Sequence, residues 1–132
     1  GCDGMDGILA QENFDTSLVE GLYMLTPFSA DAQDEATRRF VQTYKEKYGE
    51  VPNQFAADAY DAIHALAQAL RDAKVSADDD AGVINEALIQ QFTTMTFQGI
   101  TGTGDITWNA DGEVSKGPRA VVIKDGVYVN AE

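Results

Sequence analysis

Two long stretches of the chain carry apolar residues every three to four positions, the spacing of a helix with one buried side. Across residues 31–48, DAQDEATRRFVQTYKEKY, one stripe holds Ala32, Ala36, Phe40, Val41, Tyr44 and Tyr48. Asp34 with Arg38 and Glu35 with Arg39 are spaced to pair on the opposite side. The pattern predicts an amphipathic surface helix, with Ser29 or Asp31 as its N-cap and Gly49 as its left-handed terminator. A second helix is predicted over residues 53–73, with Phe55, Ala59, Ala62, Ile63, Leu66, Ala67 and Leu70 as its apolar positions. Its many alanines permit close approach to a neighbour, so it should be the more buried of the two.

The acidic break VSADDDAG then offers Ser76 and the aspartates as caps, and AGVINEALIQQFTT reads as a third helix with Val83, Ile84, Ala87, Leu88 and Phe92 inward. From residue 97 the pattern changes to β-branched residues punctuated by glycine, and the Asp-Gly pairs at 111–112 and 125–126 each signal a hairpin. Before the first helix, TSLVEG suggests one or two helical turns and GLYMLTP a buried strand closed by Pro27. The expected fold class is α/β: a strand, three helices and a C-terminal β-meander, without internal repeats.

The chain has 132 residues, enough for one domain that withdraws roughly two-thirds of its unfolded surface from water. With 22 acidic residues against 9 basic ones the formal charge is −13, which repels polyphosphate and removes nucleic acid and anionic membranes as partners. The longest apolar runs, such as AVVI, fall far short of the roughly 20 residues that span a bilayer. A single cysteine, Cys2, forbids an internal disulfide and a multi-cysteine zinc site. A lipid-anchored Cys2 would be followed by a polar tether, whereas this chain runs at once into Ile8 and Leu9.

Few residues carry candidate chemistry. TWNADGEVSKGP resembles the middle of a calcium loop, but Thr107 and Pro118 stand where the anchoring carboxylates belong, so a plain hairpin turn is expected. GITGTGDI lacks the spacing of a dinucleotide loop and the Lys-Ser/Thr end of a phosphate cradle, and reads as a tight turn between strands. The one histidine, His64, lies mid-helix without a metal-ligating neighbour on its face, and no nucleophile, base and orienting acid can be assembled. The expectation is a protein that is not an enzyme and uses no cofactor or metal. The opening GCDG presents Asp3 in a glycine-flanked turn, either as an exposed acidic turn or as a carboxylate offered to a cationic ligand group.

Several segments in order resemble one family. EGLYMLTPF, RRFVQTYKEKYGEVPNQFAADAYDAIHALAQAL, FQGITGTGDITWNADGEV and RAVVIKDGVYV are similar to the C-terminal portion of the branched-chain amino acid binding proteins of ABC importers. These are two-lobed type I periplasmic binding proteins, or extracellular ligand-binding receptors, more than twice this length. The resemblance implies a C-terminal fragment that contains the last two of three hinge crossings. Residues 1–26 would finish the second lobe, 27–118 would form part of the first, and 119–132 would return to the second. It further implies that Asp3 accepts the α-ammonium group of an amino acid, in a position where the leucine, isoleucine and valine binders more often carry glutamate. Phe55 would form an aromatic wall of the ligand's side-chain pocket, its other reading being core packing of the second helix.

The function so implied is solute binding outside the cytoplasm, in the periplasm or on a cell-surface lipoprotein, with delivery to an ABC permease. The fragment itself is expected to self-associate or to pair with its missing half. Two alternatives stand beside this: the ligand-sensing domain of a signalling receptor, and an acidic interaction domain without a small ligand.

Overall fold

The computed structural model describes residue 1 and residues 3–131, the side chain of Asp3 excepted, so the lipidation reading of Cys2 lies outside the described residues. Short 3-10 turns at Asp3–Met5, Ile8–Ala10 and Thr16–Val19 lead into strand β1 (Tyr23–Thr26). Helices α1 (Glu35–Tyr48), α2 (Gln54–Ala73) and α3 (Ala81–Phe92) follow, then β2 (Thr103–Trp108), β3 (Val114–Gly117), β4 (Arg119–Lys124) and β5 (Val127–Asn130).

Helix α1 begins four residues later than its periodicity suggests, because neither expected cap is used. Asp34 accepts the Thr37 N–H at 2.8 Å, while Ser29 and Asp31 bond to each other in the loop before it. Gly49 ends the helix at φ 78°, returning its N–H to the Lys45 carbonyl. Phe40 and Val41 are buried as expected, whereas Ala36 and Tyr48 are exposed. Neither Asp34–Arg38 nor Glu35–Arg39 closes; among the described residues the one ion pair is Lys116–Asp58.

Helix α2, capped by Asn53 on the Ala56 N–H, turns the other way round from the expectation. Its buried residues are Gln54, Ala57, Asp61, Ala65 and Ala69, and the large apolar stripe from Phe55 through Ile63 to Leu70 is exposed. The small side chains win the interior because the segment 95–101 packs directly against that face, leaving no room for Leu or Ile. Helix α3 buries no residue fully: Leu88 and Phe92 lean on Trp108, with the Phe92 and Trp108 rings 4.9 Å apart, but Val83, expected inward, is exposed.

The β-rich tail is not one meander. Strands β2 and β3 form a separate antiparallel ribbon, while β4 runs between β1 and β5 in a three-stranded antiparallel sheet. Pro118, lacking an N–H for a ladder, stands at the break between β3 and β4. Both Asp-Gly pairs form turns; Asp125 and Gly126 take successive positive φ values of 51° and 72°, as a type I′ hairpin requires. At the other, Asn109 Oδ1 accepts the N–H groups of Asp111 and Glu113, so the calcium-like sequence is folded into a self-bonded turn.

Three apolar clusters hold these elements. Phe28, Phe40, Val41, Ala57 and Ile100 form one, and Ala65, Ala69, Met95, Phe97 and Ile106 a second. The third joins Met24 to Val121 and Ile123, with Ile8, Leu9, Val19 and Tyr128 around them. The first two clusters thus draw on the middle of the chain and the third on its two ends.

Candidate functional site

The opening segment reaches the start of α2 through one carboxylate. Asp6 precedes Gly7, whose φ of 87° turns the chain sharply, and Asp6 Oδ1 accepts the Gly7 N–H at 2.8 Å. Its other oxygen accepts the N–H of Gln54 at 2.9 Å, across 48 residues of sequence. The first amides of a helix have no partner within it and carry the positive end of its dipole, so a carboxylate there is doubly favoured.

This bond joins the two segments that carry the residues singled out in the sequence. Asp3 opens the 3-10 turn three residues before Asp6, and Phe55 directly follows Gln54. The two therefore belong to the segments joined at one junction. Phe55 is 55% exposed and belongs to none of the apolar clusters, so it does not serve as core packing in this chain.

Behind the junction lies a crevice of about 540 Å³ between the sheet with its opening turns on one side and the end of α1, the loop after it and the start of α2 on the other. Leu9, Met24, Val121 and Tyr128 line one side and Phe28, Tyr44 and Pro52 the other. Several of its polar groups are tied in pairs, while the buried Tyr128 hydroxyl has no hydrogen-bond partner among the described residues. The Thr26 hydroxyl donates to Gln54 Oε1 at 3.0 Å and accepts the Phe28 N–H at 3.2 Å. Asp31 Oδ2 accepts the Asn130 N–H at 3.0 Å, so a carboxylate reaches across in each direction. Burial, reinforced by the negative charge of Asp6, pushes the Tyr128 hydroxyl above the usual tyrosine pKa, while backbone amides at residues 7–9 partly offset this. Such a crevice, apolar in its walls and lined with fixed acceptors, is suited to enclosing a small amphiphilic molecule.

His64 stays apart from it, exposed on α2 with its ring 4.2 Å from that of Tyr60. Among the described residues no group of three histidine, cysteine, aspartate or glutamate side chains is placed to hold a metal ion, and no helix is long and apolar enough to cross a membrane. Sequence reasoning missed Asp6, Thr26, Gln54 and Tyr128. Asp6 had the same signal as Asp3, a carboxylate beside glycine; the others are ordinary strand or helix residues whose role follows only from long-range folding.

A family model described as periplasmic binding protein matches residues 9–126. Among solved structures, a leucine binding protein, LivK, from Thermotoga maritima is 28% identical, with a TM-score of 0.71 over 99% of this chain and 35% of its own. The branched-chain amino acid transporter substrate binding protein LivJ from Streptococcus pneumoniae, solved in complex with isoleucine, is 27% identical, with a TM-score of 0.74 over 97% of this chain and 34% of its own. A solute binding protein of an ABC transporter from R. palustris, in complex with benzoate, shares the fold at 18% identity and a TM-score of 0.72, over 96% of this chain and 32% of its own. The chain spans about a third of the length of these structures. No curated protein matches it.

Proposed function

The chain belongs to the periplasmic binding protein family, and from that premise we propose that it is the C-terminal part of an extracytoplasmic receptor that closes two lobes on an amino acid and delivers it to an ABC permease. The segregation of the apolar clusters supports the lobe assignment: residues 1–26 and 119–132 supply the third cluster, and residues 27–118 the first two. The receptor binds and releases; it performs no catalysis. Its place is the periplasm or the outer face of the cell membrane.

The observation that carries the reading is the Asp6–Gln54 bond, which brings the opening loop of one lobe against the helix start of the other. In this arrangement Asp3 accepts the ligand's α-ammonium group and Phe55 packs against its side chain. Closure is a population shift, favoured by contacts that a bridging ligand makes only in the closed state. Loss of the contacts supplied by the remaining two-thirds of the receptor weakens binding by this chain alone to about millimolar or worse, since removing one side of a buried charge pair already costs about 2 to 5 kcal/mol.

The test is thermal unfolding of the full-length receptor against a panel of amino acids, with Asp3→Asn as control. A ligand at 100-fold excess over its dissociation constant adds about 2.7 kcal/mol of stability, a shift of several degrees. A shift with leucine, isoleucine or valine that disappears in Asp3→Asn supports the reading. A flat panel overturns the amino-acid reading and sends the search to other small ligands or to the acidic interaction domain.

A further inference from the structure

Outside the crevice, the most completely bonded side chain among the described residues is a buried carboxylate on α2. Asp61 is 6% exposed and accepts three donors from one loop. The Ile100 N–H approaches both of its oxygens, at 3.0 and 3.1 Å, and Oδ2 also takes the Thr101 N–H at 2.8 Å and the Thr101 hydroxyl at 2.6 Å. The Thr101 hydroxyl in turn accepts from Lys116 Nζ at 3.2 Å, and that ammonium pairs with Asp58 one helical turn before Asp61. The loop must come very close to do this: a Cβ on Gly99 would lie within 2.9 Å of all three carboxyl atoms of Asp61. Only glycine at 99 allows the approach.

The next residue gives this arrangement its consequence. Gly102 donates its N–H to the Pro27 carbonyl at 2.5 Å and accepts Arg119 Nε–H on its own carbonyl at 3.1 Å. Pro27 lies where the chain leaves the three-stranded sheet for the helices, and Arg119 where it returns. One residue thus touches both connections between the two parts of the molecule. Gly102 itself has no side chain to hold it in place, and a Cβ there would meet Lys116 and the Gly117 carbonyl at 2.9 and 3.0 Å. Its position is set by its neighbours, and those neighbours are held by Asp61.

We propose that Asp61 is a positioning residue for lobe closure: by clamping residues 100–101 it sets Gly102 as a common brace for the two crossing segments and thereby limits the angle between the lobes. This rests on the two-lobed reading above. A charged acceptor is suited to the task because its hydrogen bonds are stronger than neutral ones and it can satisfy several donors at once.

The test measures the angle directly and without ligand. In the full-length receptor, with its native cysteines replaced by serine, spin labels are placed at the exposed positions Lys47→Cys on α1 and Lys124→Cys at the end of β4. Pulsed electron resonance then reads the distribution of distances between them. Asp61→Asn is expected to broaden that distribution about twofold, and hydrogen exchange at the Ile100 and Thr101 amides to become about tenfold faster or more. Thr101→Val, which removes one donor, should broaden it less; it carries the test should Asp61→Asn fail to fold. Ala69→Gly, in the second cluster, lowers stability by about 1 kcal/mol through helix propensity and serves as the control for general loosening.

A width unchanged in Asp61→Asn, or in Thr101→Val where only that variant folds, overturns the brace, as does equal broadening by Ala69→Gly. Because no amino acid is present, a flat ligand panel would remove the amino-acid reading and leave this result standing. A stabilising panel combined with an unchanged width would remove only the role of Asp61.

Discussion

The two long faces of α2 are built on opposite principles. The inner face is small and partly polar, with Ala57, Ala65 and Ala69 flanking Gln54 and Asp61, and it is buried. The outer face carries Phe55, Ile63, Leu66 and Leu70, and it meets solvent, Ile63 at 66% exposure. Side-chain hydrophobicity therefore does not decide which face this chain covers. What decides is how closely another backbone can approach and whether polar groups there find partners. The alanines let the segment 95–101 lie against the helix, and Asp61 satisfies the amides that this contact would otherwise strand. Apart from Phe55, which the proposed function gives to the ligand, the outer face is the surface that the proposed remainder of the first lobe, or a second copy, is expected to cover.

That contrast can be broken most sharply from the inside. Asp61→Ala removes the acceptor of two buried amides and a hydroxyl, and should lower unfolding free energy by about 3 kcal/mol or more in urea denaturation. Ala57→Leu inserts a large side chain where Phe28, Phe40, Val41 and Ile100 leave no space, with an expected cost of about 1 to 3 kcal/mol by the same measurement. Lys116→Met breaks the partly exposed pair with Asp58 at the margin of the inner face. Its cost should be about 0.5 kcal/mol and should shrink as salt is raised.

On the outer face Ile63→Ser should change the unfolding free energy of this chain by no more than about 0.5 kcal/mol. It should instead weaken self-association, read by sedimentation at micromolar concentration. A stability loss comparable to that of Ala57→Leu would show that the outer face is covered within the single chain.

The same helix shows why part of the molecule was legible from sequence and part was not. Elements set by neighbours in the chain could be read: α1 with its Gly49 terminator, the turns at Asp111–Gly112 and Asp125–Gly126, and a strand before Pro27. The inward face of α2 could not, because its sequence holds two superposed stripes, one of large apolar residues and one at 57, 61, 65 and 69. Periodicity favours the larger stripe, and only long-range contact with Ile100 and Thr101 selects the other. The division of the tail into two sheets was hidden for the same reason, since β4 pairs with β1 and not with β3. At the candidate site, composition and glycine spacing drew attention to the opening loop, but the partner of Asp6 lies 48 residues away.

That pairing of β4 with β1 also bears on how the chain is made. Thr26 lies opposite Arg119 and Tyr23 opposite Val122, so the first strand meets its partner only after more than 90 further residues have been added. At about 5 to 20 residues per second, Met24 and Leu22 remain without their sheet for roughly 5 to 20 seconds of synthesis. The helices and the β2–β3 ribbon, whose contacts are more local, can condense in that interval. A chain that folds in the order of its synthesis would therefore pass through a state in which its middle is folded and its two ends are still searching for each other.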